Sequence, residues 1–127
     1  QYAAVDGTNS TARFDHPEGV TVDSAGSVYV GDYWNNTVRK ITPDGVTTTL
    51  AGLGKTGGSA DGAGGAVRFS RPNGVAADSH GIVFVADELN NAIRMAGQSF
   101  KCNPSRLPSP ARLRHKASDA LFLWHPV

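Results

Sequence analysis

The sequence predicts an all-β chain of small antiparallel leaflets followed by a non-repeat tail, and three observations carry that prediction. Residues 6 to 41 return at residues 61 to 96 at a constant offset of 55, with 16 identities in 36 aligned pairs and no insertion. Inside each copy, short runs rich in Val, Tyr and Ile alternate with Gly, Asn, Asp and Pro clusters, which is the rhythm of strands and tight turns. From Gln98 onward the repeat is lost.

Each element of the first copy has its own signal. Gly19–Asp23 alternates and is stopped by Ser24-Ala25-Gly26, so it reads as a short strand. Ser27–Asp32 is rich in branched and aromatic residues and closes at Tyr33-Trp34-Asn35-Asn36, a hairpin in which Asn tolerates positive φ. Thr37–Thr42 is the third strand, ended by the turn tripeptide Pro43-Asp44-Gly45, and Val46–Ala51 is the fourth. The second copy places strands near 74–78, 82–87 and 92–96.

A four-stranded sheet of this size has two faces to cover and two edges to protect. Stacking such sheets radially around an axis solves both problems. The expected fold class is therefore all-β, of β-propeller type, with two four-stranded antiparallel blades forming a partial propeller and a non-repeat C-terminal tail. Blade one is expected at about 17–51, a Gly-rich crossover at 52–71 held down by Phe69, and blade two at about 72–102 with residues 98–102 as its outer strand. Residues 99–127 form a basic, Pro-rich tail ending in the apolar run Ala120–Trp124, expected to dock as a strand or short helix on a partner or to cover an exposed blade face.

The run Pro17-x-Gly19-Val20-x-Val22-Asp23-x-x-Gly26-x-Val28-Tyr29-Val30-x-Asp32-x-x-Asn35-Asn36-x-Val38-Arg39-Lys40-Ile41 resembles the NHL repeat, and Pro72 to Arg94 resembles it again. The Leu50-Ala51-Gly52 linker and Asp61-Gly62-x-Gly64-x-x-x-Arg68-Phe69 are similar to the spacer between such repeats. The resemblance spans roughly residues 4–98. It implies a propeller of six blades in most relatives, so that two blades require either more of the ring or other copies to close it. It leaves function open, because relatives include protein-binding, RNA-binding and enzymatic propellers.

Charge divides the chain. Residues 1–98 hold 7 Lys and Arg against 10 Asp and Glu, whereas 99–127 hold Lys101, Arg106, Arg112, Arg114 and Lys116 against Asp119. The repeats thus lack the basic face that nucleic acid needs, and RNA binding is confined to a third reading through the tail. The single Cys102 excludes an internal disulfide and reads as a small packed residue. No stretch is long and apolar enough for a membrane span. Gln1 as first residue suggests processing or a start partway through a longer sequence, and the sequons at Asn9 and Asn35 lean slightly towards an extracytoplasmic or lumenal setting.

Asp23/Asp78 and Asp32/Asp87 recur at strand ends, where carboxylates accept backbone N–H bonds and fix turns. A catalytic residue breaks a repeat's pattern, and these obey it. Arg39 and Arg94 are expected on alternate exposed strand positions, paired with an Asp of a neighbouring strand or blade. The histidines His16, His80, His115 and His125 show no metal-ligand spacing, and no metal or cofactor is expected. Gly54-Lys55-Thr56 lacks the upstream glycine of a phosphate loop, because Thr49 stands there. Where the copies disagree, Tyr33-Trp34 becomes Glu88-Leu89, which places two large aromatics on one turn.

Tyr33, Trp34, Asn35, Phe122 and Trp124 are accordingly the expected interaction residues. The expected function is a non-enzymatic protein-interaction or assembly module, a subunit or fragment within a larger complex, with a protein partner or self-association completing the ring. The alternative is a fragment or oligomerising third of a six-bladed lyase, lactonase or hydrolase.

Overall fold

The computed structural model describes residues 3–96 and 122–124. The first sheet contains β1 (Gly7–Thr8), β2 (Pro17–Val22), β3 (Val28–Asp32), β4 (Thr37–Ile41) and β5 (Val46–Gly52), in the order β1-β5-β4-β3-β2. The second contains β6 (Pro72–Ala77), β7 (Val83–Asp87), β8 (Ala92–Ala96) and β9 (Phe122–Trp124), in that order. All strand pairs are antiparallel. The chain is all-β, a partial propeller of two leaflets.

Equivalent residues fold alike in both copies. The β2/β3 ladder slips between Pro17 and Val20, and the β6/β7 ladder slips at the matching place between Pro72 and Val75. The β3–β4 connection is a 3-10 turn over Tyr33–Asn35, closed by Asn36 at φ 57°, and the β7–β8 connection is a 3-10 turn over Glu88–Asn90, closed by Asn91 at φ 50°. Asn suits that left-handed position because its short polar side chain lowers the cost of positive φ.

Two differences from the sequence expectation stand out. The first leaflet gains a fifth strand, since Gly7 and Thr8 pair with Thr47 and Val46 on its outer edge. In the second leaflet, the strand beside β8 comes from Phe122–Trp124, in the register Ile93↔Trp124, Arg94↔Leu123 and Met95↔Phe122. Residues 98–102, expected in that role, lie outside the described residues, as do Cys102 and the Pro-rich stretch.

The leaflets stack through their inner strands. The core between them contains Tyr29, Val38, Ala51, Val67, Phe69, Val83, Val85 and Ala96, with Leu50, Val75 and Ala77 against its margin. Strand alternation explains the selection, because Tyr29 leaves β3 on one side while Val28 and Val30 leave it on the other. Gly31 makes the close approach possible. A Cβ there would stand 2.5 Å from the Asn73 carbonyl oxygen and 2.9 Å from that of Pro72.

Candidate interaction surface

Two buried polar clusters, one per leaflet, set the frame on which the surface is built. In the first, Arg39 Nη1 donates to Asp32 Oδ2 at 3.0 Å and to the Arg13 carbonyl at 2.9 Å, while Nη2 donates to Asp6 Oδ1 and the Val5 carbonyl, both at 2.8 Å. Asn35 Nδ2 donates to Asp32 Oδ2 at 2.7 Å and to the Ala3 carbonyl at 2.9 Å. The second cluster repeats every bond at the same offset, with Arg94 bonded to Asp87, Asp61 and the carbonyls of Arg68 and Ala60, and Asn90 bonded to Asp87 and the Gly58 carbonyl. The guanidinium groups lie over Phe14 and Phe69 at 4.9 and 5.3 Å.

These clusters tie the segment before each inner strand to the strands that follow. Arg39 and Arg94 do pair with Asp, but the exposed strand position expected from the sequence is wrong: both side chains are fully buried, because the incoming segment wraps over them. Asn35 is likewise buried with its Nδ2 committed to Asp32 and the Ala3 carbonyl, so it belongs to this frame. The sequon it heads is folded inside.

Asp23 and Asp78 do what strand-end carboxylates do. Asp23 Oδ1 accepts from the backbone N–H of Ser27 and Ala25, both at 2.9 Å, and Asp78 Oδ1 accepts from His80 and Ile82 at 2.8 and 2.9 Å. The Ser27 N–H leads the bonds that hold the Asp23 carboxyl below its usual range. At Asp78, burial pushes upward, but the N–H bonds of Ile82 and His80 outweigh it and the net direction is down.

Outside the frame, the 3-10 turn of the first leaflet meets the start of β6. Trp34 is 42% exposed and packs edge-on against Tyr33 at 5.6 Å and His16 at 5.8 Å. The Arg71 guanidinium carbon lies 4.3 Å from the Trp34 ring centre and 5.6 Å from that of Tyr33. Tyr33 Oη donates to Glu88 Oε1 at 3.4 Å, and Asn73 Nδ2 donates to Glu88 Oε2 at 3.1 Å. Beside them, Asp15 pairs with Lys55 and with His16 Nδ1, and the Lys55 bond leads the causes that lower its pKa.

Of the five interaction residues expected from sequence, Tyr33 and Trp34 share this rim and Asn35 lies beneath it. Phe122 and Trp124 lie on β9, at the opposite, outer edge of the second leaflet. His16, Arg71, Asn73 and Glu88 were not singled out. Their signal was present, since His16/Arg71, Glu18/Asn73 and Tyr33/Glu88 are positions at which the two copies differ. Among the described residues there is no group of three His, Cys, Asp or Glu placed to hold a metal ion, and no helix long and apolar enough to cross a membrane.

Comparison with known proteins places the fold. Residues 14–41 match the family model of the NHL repeat. The chain is 38% identical over 92 residues to Protein SUPPRESSOR OF QUENCHING 1, chloroplastic, of Arabidopsis thaliana, covering 70% of this chain and 8% of that protein. It is 32% identical over 97 residues to human NHL repeat-containing protein 2, covering 74% of this chain and 13% of the relative. The chain thus spans only a small part of these relatives. Among solved structures, a protein of unknown function from Bacteroides thetaiotaomicron aligns with a TM-score of 0.72 at 30% identity, over 76% of this chain and 25% of the other. An auxiliary nutrient binding protein from Bacteroides ovatus aligns with a TM-score of 0.66 at 27% identity, over 76% and 26%.

Proposed function

Because the chain belongs to the NHL-repeat family, we propose that it is a non-enzymatic assembly and protein-interaction segment. Its two open sheet faces take further leaflets of the same kind, and its rim at Tyr33 and Trp34 meets a protein partner.

One observation carries the assembly reading. On the first leaflet, Gly31, Tyr33 and Asn36, from the stretch 31–38, meet Arg71-Pro72-Asn73 of the second leaflet. There Asn36 Oδ1 accepts the Arg71 N–H at 2.9 Å, and Gly31 meets the Pro72 and Asn73 carbonyls. Residues 55 positions later, Ala86, Asp87, Glu88, Asn91, Ala92 and Ile93, line an open depression of about 230 Å³. Its natural occupant is the equivalent Pro-x-Gly segment of another leaflet. On the opposite side, His16 precedes Pro17 with φ 52°, close to the 58° of Arg71, so the leading edge of β2 already has the shape of that occupant. Val20 and Val22 are exposed beside it.

Light scattering on the purified chain tests this. With no other leaflets present, copies are expected to pair leading face to trailing face and give a mass above that of the monomer. Ile93→Glu is expected to return the mass to the monomer value. A monodisperse monomer that binds no hydrophobic dye would overturn the assembly reading.

A further inference from the structure

We propose that Arg71, clamped between the leaflets beneath Trp34 and Tyr33, is a carboxylate receptor that reads one acidic side chain of a peptide partner. The inference rests on the rim being a partner surface and goes beyond it by naming what is recognised.

The backbone of Arg71 is fixed from three directions. Its N–H donates to Asn36 Oδ1 at 2.9 Å, its carbonyl accepts from the Glu88 N–H at 3.3 Å, and its φ of 58° holds the residue in the left-handed region. The guanidinium carbon lies over the Trp34 ring, 4.3 Å from its centre, and that contact removes much of the rotamer freedom that an exposed arginine would lose on binding. What remains is a planar fork of N–H donors. Among the described residues no carboxylate pairs with it; Glu88, whose N–H bonds the Arg71 carbonyl, has its own carboxylate engaged by Tyr33 Oη and Asn73 Nδ2. The other described arginines that lie over aromatic rings, Arg39 and Arg94, each already bond two Asp carboxylates and two carbonyls through Nη1 and Nη2. A stacked, prepositioned guanidinium with unspent donors is matched in shape by a bidentate oxyanion.

Charge selects the carboxylate over a polyphosphate chain. Around Arg71 the cation Lys55 is neutralised by Asp15, and Glu88 adds a further negative charge. With Lys55 and Asp15 cancelling each other, a nucleic acid strand would meet one cation, Arg71, against one carboxylate, Glu88, too little to offset its charge density. A peptide presents one carboxylate to Arg71 and an adjacent apolar side chain to the exposed ring of Trp34.

The copies add an independent argument. At the positions one repeat away, the left-handed residue is His16, on the first leaflet, and the turn is Glu88-Leu89, on the second. Neither half of the stacked pair is kept there, so stacking is not a requirement of the repeat.

The test uses the full chain and an array of blocked peptides with a central glutamate flanked by leucine, phenylalanine or glycine, each with a glutamine twin. Binding is read by calorimetry and by Trp34 emission in a Trp124→Phe background. At least one glutamate peptide is expected to saturate the protein, with its glutamine twin weaker by roughly tenfold to a hundredfold, the range of a hydrogen-bonded charge. Arg71→Asn keeps a residue suited to positive φ and is expected to lose that preference while melting as the unsubstituted chain does. Arg71→Lys, which keeps charge but not the fork, is expected to fall between. Equal affinity for the twins, full binding by Arg71→Asn, no saturable binding by any peptide, or binding of oligouridylate alone would each overturn the proposal. None of these outcomes depends on whether the leaflets self-associate, which the mass measurement reads separately.

Discussion

The trailing face of the first leaflet and the trailing face of the second carry the same pattern in opposite circumstances. Tyr29 is 3% exposed and Val38 is fully buried, whereas their equivalents Phe84 and Ile93 are 38% and 50% exposed. The apolar side chains are placed by the repeat, and only a following leaflet removes them from water. The comparison teaches that a blade's sequence contains half of an interface. The other half belongs to its neighbour, and stability comes from stacking rather than from the single sheet.

The largest effect tests whether the two leaflets are equal internally while their faces differ. Asp32→Ala and Asp87→Ala each take from a fully buried guanidinium its fully buried carboxylate, leaving only the half-exposed Asp6 or Asp61, and breaking a buried pair costs about 3–5 kcal/mol. Both are expected to lower the melting temperature steeply, and by similar amounts, in a thermal unfolding series followed by circular dichroism. A mild loss in one leaflet alone would show that the clusters are not equivalent.

Next comes the approach of the leaflets. Gly31→Ala drives a methyl group towards two backbone carbonyls that cannot swing aside, an overpacking cost of about 1–3 kcal/mol. The second copy already has Ala86 at this place. Ala86→Gly on the open face is expected to cost only the backbone freedom gained, about 0.5–1 kcal/mol. The same methyl group implies that a leaflet covering the second trailing face sits slightly farther out than the second sits on the first. Comparable costs for the two substitutions would break the comparison.

A smaller difference concerns the apolar pair itself. Val38→Ala removes two buried methyl groups and is expected to cost about 1.5 kcal/mol, while Ile93→Ala in the monomer stays within about 0.5 kcal/mol. The gap should close once a covering leaflet is bound.

Much of this was legible in the sequence because strand period, turn chemistry and the repeat all point the same way. Pro43-Asp44-Gly45 and the Asn36 and Asn91 positions fix turns through local physics alone. Asn35 and Arg39 were misjudged because their burial depends on residues about 30 positions earlier folding back over them, and β-strand alternation does not report a covering segment. A strand was among the readings for the apolar run at 120–124, but the edge that β9 takes was hidden for the same reason. An apolar run at 120–124 has edge-pairing capacity, but its partner is chosen by the open edge of β8. The rim was half legible: disagreement between copies marked Tyr33 and Trp34, whereas Arg71 acquired its role only when the leaflets were brought together.

The subtlest expected effect follows from Tyr29, whose equivalent Phe84 has no hydroxyl. Burial first, and then the bond it donates to Asp23 Oδ2 at 2.9 Å, push the Tyr29 phenol up to about 12. In the unfolded chain it ionises near pH ~10. The folded state therefore keeps a proton that the unfolded state releases, and stability present below pH ~10 is expected to fall as pH rises towards 12. At the acid end the sign reverses for Asp23: its lowered pKa contributes stability above about pH 4 that disappears as the carboxyl protonates. An ultraviolet absorbance titration should resolve a late tyrosine step at about pH 12. Tyr29→Phe should abolish that step and cost about 1 kcal/mol at neutral pH, the scale of one hydrogen bond. If no late step appears, the Tyr29 hydroxyl is solvated, and the second leaflet does not cover the first in the way the buried Tyr29 requires.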